Sequence, residues 1–253
     1  MNILTIAGTD PSGGAGVQAD LQVIRDHNSH GLSAVAAIVW QNTSEVRGWR
    51  AVAPEDLIAQ LDAVFDDLDV AAIKIGMLGS TENAEALAGR LAGFDGPIVL
   101  DPVLASGDGR TSMYTASLEA LRRLARMATL VTPNMPEAKA IAVGAASTPV
   151  ELAELLNDEL STAVLLKVGH VDSAEDLRDV LADGGATVLA PTPRIADDVR
   201  GTGCQLSTAI ACRLGAGDDL LTAVEMGRLY LSSMLKKRQK VGLGRPVVVR
   251  NHE

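Results

Sequence analysis

The run Gly201-Thr202-Gly203-Cys204 opens an apolar, helix-like segment, Cys204-Gln205-Leu206-Ser207-Thr208-Ala209-Ile210-Ala211. Glycines let the backbone turn tightly and leave N–H groups bare, and a helix N-terminus places partial positive charge behind them. Such a junction suits an anion, most often phosphate. A cysteine in the first turn sits where its thiolate is favoured, so Cys204 is expected to be partly ionised near neutral pH. Taken alone, the same string is an ordinary loop entering a core helix, with Cys204 as a small apolar residue.

A second glycine-rich stretch stands at the other end of the chain, Ala7-Gly8-Thr9-Asp10-Pro11-Ser12-Gly13-Gly14-Ala15-Gly16. It follows a strand-like run, Ile3 to Ala7, and precedes a helical pattern carrying Val17, Leu21 and Ile24. Strand, glycine loop and helix together place a small ligand at the carboxyl edge of a parallel sheet. The loop lacks the Gly-Lys-Ser/Thr of a nucleotide P-loop, and Gly13-Gly14-Ala15-Gly16 does not have the dinucleotide spacing.

The elements that must position these loops alternate. Candidate strands are Ile3–Ala7, Ala34–Trp40, Ala71–Ile75, Ile98–Asp101, Leu130–Thr132 and Ala163–Lys167. Helical patterns run at about Ala15–Asp26, Pro54–Leu68, Thr81–Leu91, Ser117–Ala125, Pro136–Ala142, Pro149–Asn157 and Leu220–Leu235. This rhythm predicts an α/β fold with a mostly parallel sheet and helices on both faces. Asp183-Gly184-Gly185 between apolar runs predicts an antiparallel hairpin. Nothing resembling a linker or repeat divides the chain, so one domain over residues 1–253 is expected.

Composition narrows the function. At 253 residues and 47% hydrophobic, the chain can bury a full core, and with 2% aromatics that core is aliphatic. A net charge of −10 argues against nucleic-acid backbones and anionic membranes as partners. No apolar run approaches the roughly 18 residues of a membrane span, and Met1-Asn2-Ile3-Leu4 lacks the basic start of a secretory signal. Cys204 and Cys212, if on one helix, stand about 12 Å apart and cannot pair, which suits a reduced, cytoplasmic protein. The four histidines, His27, His30, His170 and His252, have no zinc-cluster spacing.

Further runs, in order, are Gln41-Asn42-Thr43, Lys74-Ile75-Gly76-Met77-Leu78, Asp101-Pro102-Val103, Thr132-Pro133-Asn134-Met135-Pro136-Glu137-Ala138 and Leu165-Leu166-Lys167-Val168-Gly169-His170. With the two glycine loops they make the chain resemble, from Ile3 to about Pro246, the hydroxymethylpyrimidine/phosphomethylpyrimidine kinases of thiamine biosynthesis, in the ribokinase-like superfamily. The resemblance implies a three-layer α/β/α sandwich, ATP as co-substrate, Mg2+, a pyrimidine acceptor and a homodimer.

By that resemblance, backbone N–H groups of Gly201, Thr202, Gly203 and Cys204 hold the moving phosphoryl group, and Cys204 takes the acceptor's proton where many superfamily members carry an aspartate. Asn134 and Lys167 reach ATP, and Glu137 with Asp101 are linked to magnesium. Glu137 is equally an acid favoured in a first helical turn, Asp101 a turn residue before Pro102, and Lys167 a snorkelling surface lysine. On the acceptor side Gln41 reads the pyrimidine edge with its paired donor and acceptor, Gly8 and Asp20 hold the hydroxymethyl side, and Met77 packs on the ring. Asp20 reads otherwise as a helix-surface acid and Met77 as core.

The chain also departs from the family pattern. Arg200 stands where a histidine is common and is expected to reinforce phosphate binding. Trp40 replaces a usually small residue, Val168 a glycine, and the segment after Asp101 is short. These changes bear on which ring is accepted, with pyridoxal the rival acceptor and a non-catalytic pyrimidine sensor the rival from another class.

Overall fold

The computed structural model describes residues 1–107, 109–114, 117–168, 178–191 and 198–250. Its sheet contains β1 (Asn2–Gly8), β2 (His30–Gln41), β3 (Val46–Ala51), β4 (Ala72–Ile75), β5 (Ile98–Leu100), β6 (Leu130–Val131), β7 (Ala163–Leu166), β8 (Val180–Ala182) and β9 (Ala186–Val188). The order across it is β3-β2-β1-β4-β5-β6-β7-β8-β9. Strands β2 through β7 in that order are parallel, while β3 at one edge and β8–β9 at the other are antiparallel. The expected hairpin is present: Ala182 pairs with Ala186 across Asp183-Gly184-Gly185.

Alternation along each strand divides the core into two layers. Leu4, Ile6, Ile73, Ile75, Ile98, Leu100 and Val131 face one cluster. That side is covered by α2 (Pro54–Phe65), α3 (Thr81–Arg90), α4 (Leu118–Ala125), α5 (Met135–Ile141) and α6 (Pro149–Leu160). Ile3, Ala72, Val99, Leu130 and Leu165 face the other side, against α1 (Gly16–Asp26), α7 (Thr202–Gly215) and α8 (Leu220–Leu235). The three-layer α/β/α arrangement is therefore the one that the alternating pattern predicts. A small antiparallel pair, β10 (Arg238–Gln239) with β11 (Val247–Val248), returns the chain toward the first loop.

Beyond β1, strand order runs outward to β2 on one side and to β4 on the other, making a switch point between β1 and β4. Crevices at the carboxyl ends of strands beside such a point are where ligands bind in open α/β sheets. Helix α7 packs across β1, β4 and β5, bringing its N-terminus to that edge. No helix among the described residues is long and apolar enough to cross a membrane.

Candidate active site

Helix α7 begins without a side-chain cap, because its N-cap is Gly201 in the left-handed region (φ 72°). An L side chain there is strained, and there is no space for one: a Cβ on Gly201 would stand 1.9 Å from the carbonyl oxygen of Gly14. The two glycine loops thus touch backbone to backbone. Gly16 (φ 58°) is similarly confined, since a Cβ there would meet the Gly8 carbonyl at 2.4 Å. The uncapped N–H groups of the first turn of α7 are presented beside the first loop, as an anion site requires.

Beneath Cys204 lies a charged cluster with no exposed surface. Lys74 on β4 and Asp20 on α1 are both fully buried, with Nζ 2.7 Å from Asp20 Oδ2. Thr5 Oγ1 also donates to that oxygen at 2.7 Å, and Thr208 Oγ1 donates to Asp20 Oδ1 at 2.8 Å. Burial works against the Lys74 charge, but the negative groups around it, Asp20 first, hold its pKa above the ordinary lysine value. The lysine is therefore a fixed cation, aligned by Asp20, below the thiol.

The environment of Cys204 works against the expected partial thiolate. Burial pushes the thiol up to about 11; Lys74 and an N–H from Gly16 oppose that rise, and the Asp20 and Asp101 charges add to it. The helix N-terminus is outweighed because the half-buried thiol is desolvated and lies near the Asp20 and Asp101 carboxylates. A thiol raised this far favours its protonated form near pH 7.

A second cluster follows the ends of β5, β6 and β7. Lys167 Nζ donates to Asp101 Oδ1 at 2.8 Å, and Thr132 Oγ1 to the same oxygen at 3.3 Å. A Cβ on Gly203 would lie 3.2 Å from Lys167 Nζ and 3.6 Å from Asp101 Oδ2, which brings this pair to the start of α7. Asn134 and Glu137 form a reciprocal capping box on α5: Asn134 N–H donates to Glu137 Oε2 at 2.8 Å and Glu137 N–H to Asn134 Oδ1 at 2.9 Å. Burial raises the Glu137 pKa to about 7, against the pull of Lys167 and with the help of the Asp101 charge.

Among the described residues there is no group of three or more His, Cys, Asp or Glu placed to hold a metal ion. Two hard carboxylates beside an uncapped helix N-terminus nevertheless fit Mg2+, which takes few protein ligands and fills its sphere with phosphate oxygens and water. Gly169, His170 and His252 lie outside the described residues.

The acceptor side is apolar with one polar corner. Ala37, Val39, Met77 and Met113 form a buried wall, and a Cβ on Gly8 would stand 3.0 Å from Met77 Sδ and 3.3 Å from Val39. Gly8 and Met77 are thus brought together, and Gln41 joins them through its Nε2, which donates to the carbonyl of the adjacent Thr9 at 3.1 Å. Asp20 is not among them: with its oxygens taken by Thr5, Lys74 and Thr208 and no exposed surface, it reaches an acceptor only through those partners. Trp40 points to the other face of β2 from Val39, half-exposed, with its ring over Gly48 on β3. It does not close the wall.

Arg200 also departs from expectation. Its Nη2 donates to Gln41 Oε1 at 2.7 Å and lies 3.2 Å from Asp10 Oδ2, so the guanidinium sits on the acceptor side and not with the Lys167 cluster expected at the nucleotide. It borders a shallow cleft that Ser44, Ser106 and Arg245 also line. Lys74 and Asp10 were not singled out as site residues from sequence. A lone lysine inside the apolar run Ala71-Ala72-Ile73-Lys74-Ile75 was the available signal, since an unpaired buried charge is not tolerated.

The chain matches known proteins over nearly its whole length. Residues 10–248 match the family model described as phosphomethylpyrimidine kinase. The hydroxymethylpyrimidine/phosphomethylpyrimidine kinase of Rhizobium meliloti is 38% identical over 258 residues, covering 98% of this chain and 96% of that protein. The thiamine biosynthesis multifunctional protein ThiED of Corynebacterium efficiens is 36% identical over 96% of this chain, and the match spans only 34% of that longer protein. Among solved structures, Bacillus subtilis pyridoxal kinase in complex with ADP superposes with a TM-score of 0.85 at 27% identity, covering 98% of this chain and 96% of that one.

Proposed function

The chain belongs to the phosphomethylpyrimidine kinase family, and from that premise we propose that it transfers the γ-phosphoryl group of ATP to 4-amino-5-hydroxymethyl-2-methylpyrimidine, and then to its monophosphate, in thiamine biosynthesis. The observation that carries the reading is the contact of Gly201 with Gly14, which sets uncapped helix N–H groups beside an apolar acceptor wall. The reading includes one kinase domain over residues 1–253, a cytoplasmic location and a homodimer.

Phosphoryl transfer asks the protein for position and for charge on the equatorial oxygens more than for covalent chemistry. The N–H groups of Thr202, Gly203 and Cys204 supply that charge in a fixed direction, with nothing to reorganise during the reaction. Lys167, held by Asp101, adds a cation at the same end, and Asn134 lies at the start of α5 beside it, linked to Lys167 by an isolated bridge. Asp101 and Glu137 would hold Mg2+, which when bound neutralises charge on the phosphate oxygens. Glu137 must be ionised to do so, and its pKa near 7 places that ionisation at working pH.

Gly8, whose missing Cβ lets Met77 and Val39 pack close, lies in the wall proposed to face the acceptor, and Gln41 reads the ring edge. Cys204 accepts the hydroxyl proton at Sγ. Because its thiol titrates near 11, only a small fraction is ionised at neutral pH, and the Lys74 charge below is what stabilises the anion once formed. A base with so high a pKa is strong but scarce, so turnover is expected to climb with pH.

The test is ADP release with ATP, Mg2+ and, separately, hydroxymethylpyrimidine, its monophosphate and pyridoxal, with products identified by mass. Turnover on both pyrimidines and little on pyridoxal supports the proposal. Turnover chiefly on pyridoxal, the activity in the name of the Bacillus subtilis neighbour, overturns the substrate while keeping the chemistry. Pyrimidine binding without turnover overturns the kinase.

A further inference from the structure

Arg200 does something that phosphate transfer does not require. Its side chain is 9% exposed, and among the described residues its buried Nε has no hydrogen-bond partner. Its Nη2 is spent on Gln41 Oε1 and on Asp10. The Gln41 amide is held from its other end too, since Nε2 donates to the carbonyl of Thr9 at 3.1 Å. Asp10 is itself fixed by Ser12, whose N–H and hydroxyl donate to Oδ1 at 3.0 and 2.7 Å. A guanidinium from the α7 loop therefore ties the first glycine loop to the end of β2.

A carboxamide presents a donor on one side and an acceptor on the other, and a half-turn exchanges them. Here that half-turn would set the Gln41 N–H groups against a guanidinium and its oxygen against the Thr9 carbonyl. Two favourable contacts would become two repulsive ones in a buried place, where mismatched polar groups are costly. One N–H of Nε2 and one lone pair of Oε1 remain for a ligand.

We propose that Arg200 is a positioning residue for acceptor recognition: it locks the Gln41 amide in one polarity, so that the site favours a ring carrying an amino donor beside a nitrogen acceptor. A heterocycle offering only acceptors at that edge, such as a pyridine bearing a hydroxyl that ionises, leaves the Gln41 oxygen without a donor from the ligand. The inference rests on the proposed function for placing the acceptor ring at Gln41. It also explains why an arginine, with its fixed fork of donors, serves at this position.

The test is a double-mutant cycle with Arg200→Met, Gln41→Leu and the pair, with Arg200→Lys as a variant that keeps the charge and a donor. Thermal melts first establish that each variant folds. In the wild-type background, Arg200→Met is expected to lower kcat/KM for hydroxymethylpyrimidine about 10- to 100-fold, the range for losing a charge-assisted hydrogen bond, chiefly through KM. The KM for ATP stays within about twofold, because no phosphate contact is lost, and Arg200→Lys recovers part of the deficit. In the Gln41→Leu background the same substitution costs less than about twofold, since coupled residues do not add.

Additive losses, or a rise confined to the KM for ATP, overturn the proposal and return Arg200 to the phosphates. Wild-type turnover on each acceptor is measured beforehand and tests the proposed function separately. If pyridoxal is the acceptor, that function and the ring preference both fail, while non-additivity between Arg200 and Gln41, now read on pyridoxal, still decides the coupling. Wild-type turnover on neither acceptor overturns both.

Discussion

Lys74 and Asp20 form an ion pair 2.7 Å apart in which neither side chain has any exposed surface. The pair bridges the central sheet and α1 immediately below the residue proposed as base. Its electrostatic task is to keep one positive charge fixed near Cys204, and its structural risk is that either partner alone is a buried, unpaired ion.

Asp20→Asn is therefore expected to destabilise the protein by about 3–5 kcal/mol, the usual cost of breaking a buried pair from one side. Removing both charges together, with Lys74→Met added, is expected to recover most of that loss while leaving turnover impaired. Urea unfolding of the single and double variants, with kcat on the same samples, checks both halves. A double variant as unstable as Asp20→Asn alone would show that the carboxylate matters for its threonine contacts and not for the lysine.

The neutral state of Cys204 is open to direct chemistry. Thiolates alkylate and thiols do not, so iodoacetamide labelling in the ligand-free protein is expected to be slow at pH 7 and to rise about tenfold per pH unit toward pH 10. Cys212 is buried with a pKa pushed up to about 12, and Cys212→Ser removes it from the measurement. A labelling rate already at its plateau near pH 7 would restore the ionised cysteine expected from sequence.

Glu137 makes stability depend on pH in a defined direction. Its folded pKa, about 7, lies above the ordinary value of 4.5, so the folded state holds its proton more tightly than the unfolded chain does. The cost of ionising it in place is absent below pH 4.5 and grows as pH rises toward 7. Glu137→Gln, which keeps an acceptor for the Asn134 N–H, is expected to match wild type in melting temperature at about pH 4, below the unfolded value, and to exceed it by a few degrees at about pH 8. Equal differences at the two pH values would mean that the carboxyl is not strained by burial.

Gly201 and Gly217 separate backbone conformation from crowding. Both have positive φ, 72° and 93°, but a Cβ on Gly217 meets nothing within 4 Å, whereas on Gly201 it strikes the Gly14 carbonyl. Gly217→Ala is expected to cost about 1 kcal/mol, the left-handed penalty alone, with full activity. Gly201→Ala is expected to cost more and to abolish turnover by forcing the glycine loops apart. Comparable stability and activity in the two variants would refute the contact.

Much of the architecture was legible because it is written locally. Continuous apolar runs such as Ala163-Val164-Leu165-Leu166 mark buried parallel strands, and Asp183-Gly184-Gly185 marks the hairpin that the register bears out. Leu220–Leu235 emerges with the bounds expected from its pattern. Strand β3, Val46-Arg47-Gly48-Trp49-Arg50-Ala51, was missed because two arginines and a glycine hide any alternation. It is a strand because β2 offers an antiparallel partner at the sheet edge.

The sequence by itself determined the α/β/α class, the two glycine loops and the family, since periodicity, glycine placement and ordered motifs need no knowledge of distant neighbours. It also placed Gly8, Gln41, Asp101, Asn134 and Lys167 at or just after strand ends, at the sheet edge proposed as the site. The tertiary structure alone decided three things. Arg200 turns to Gln41, 159 positions earlier; Asp20 is sealed by Thr208, 188 positions later; and burial near carboxylates raises the Cys204 thiol. Charge state and hydrogen-bond polarity depend on what surrounds a group in three dimensions, and those neighbours come from strands and helices far apart in the chain.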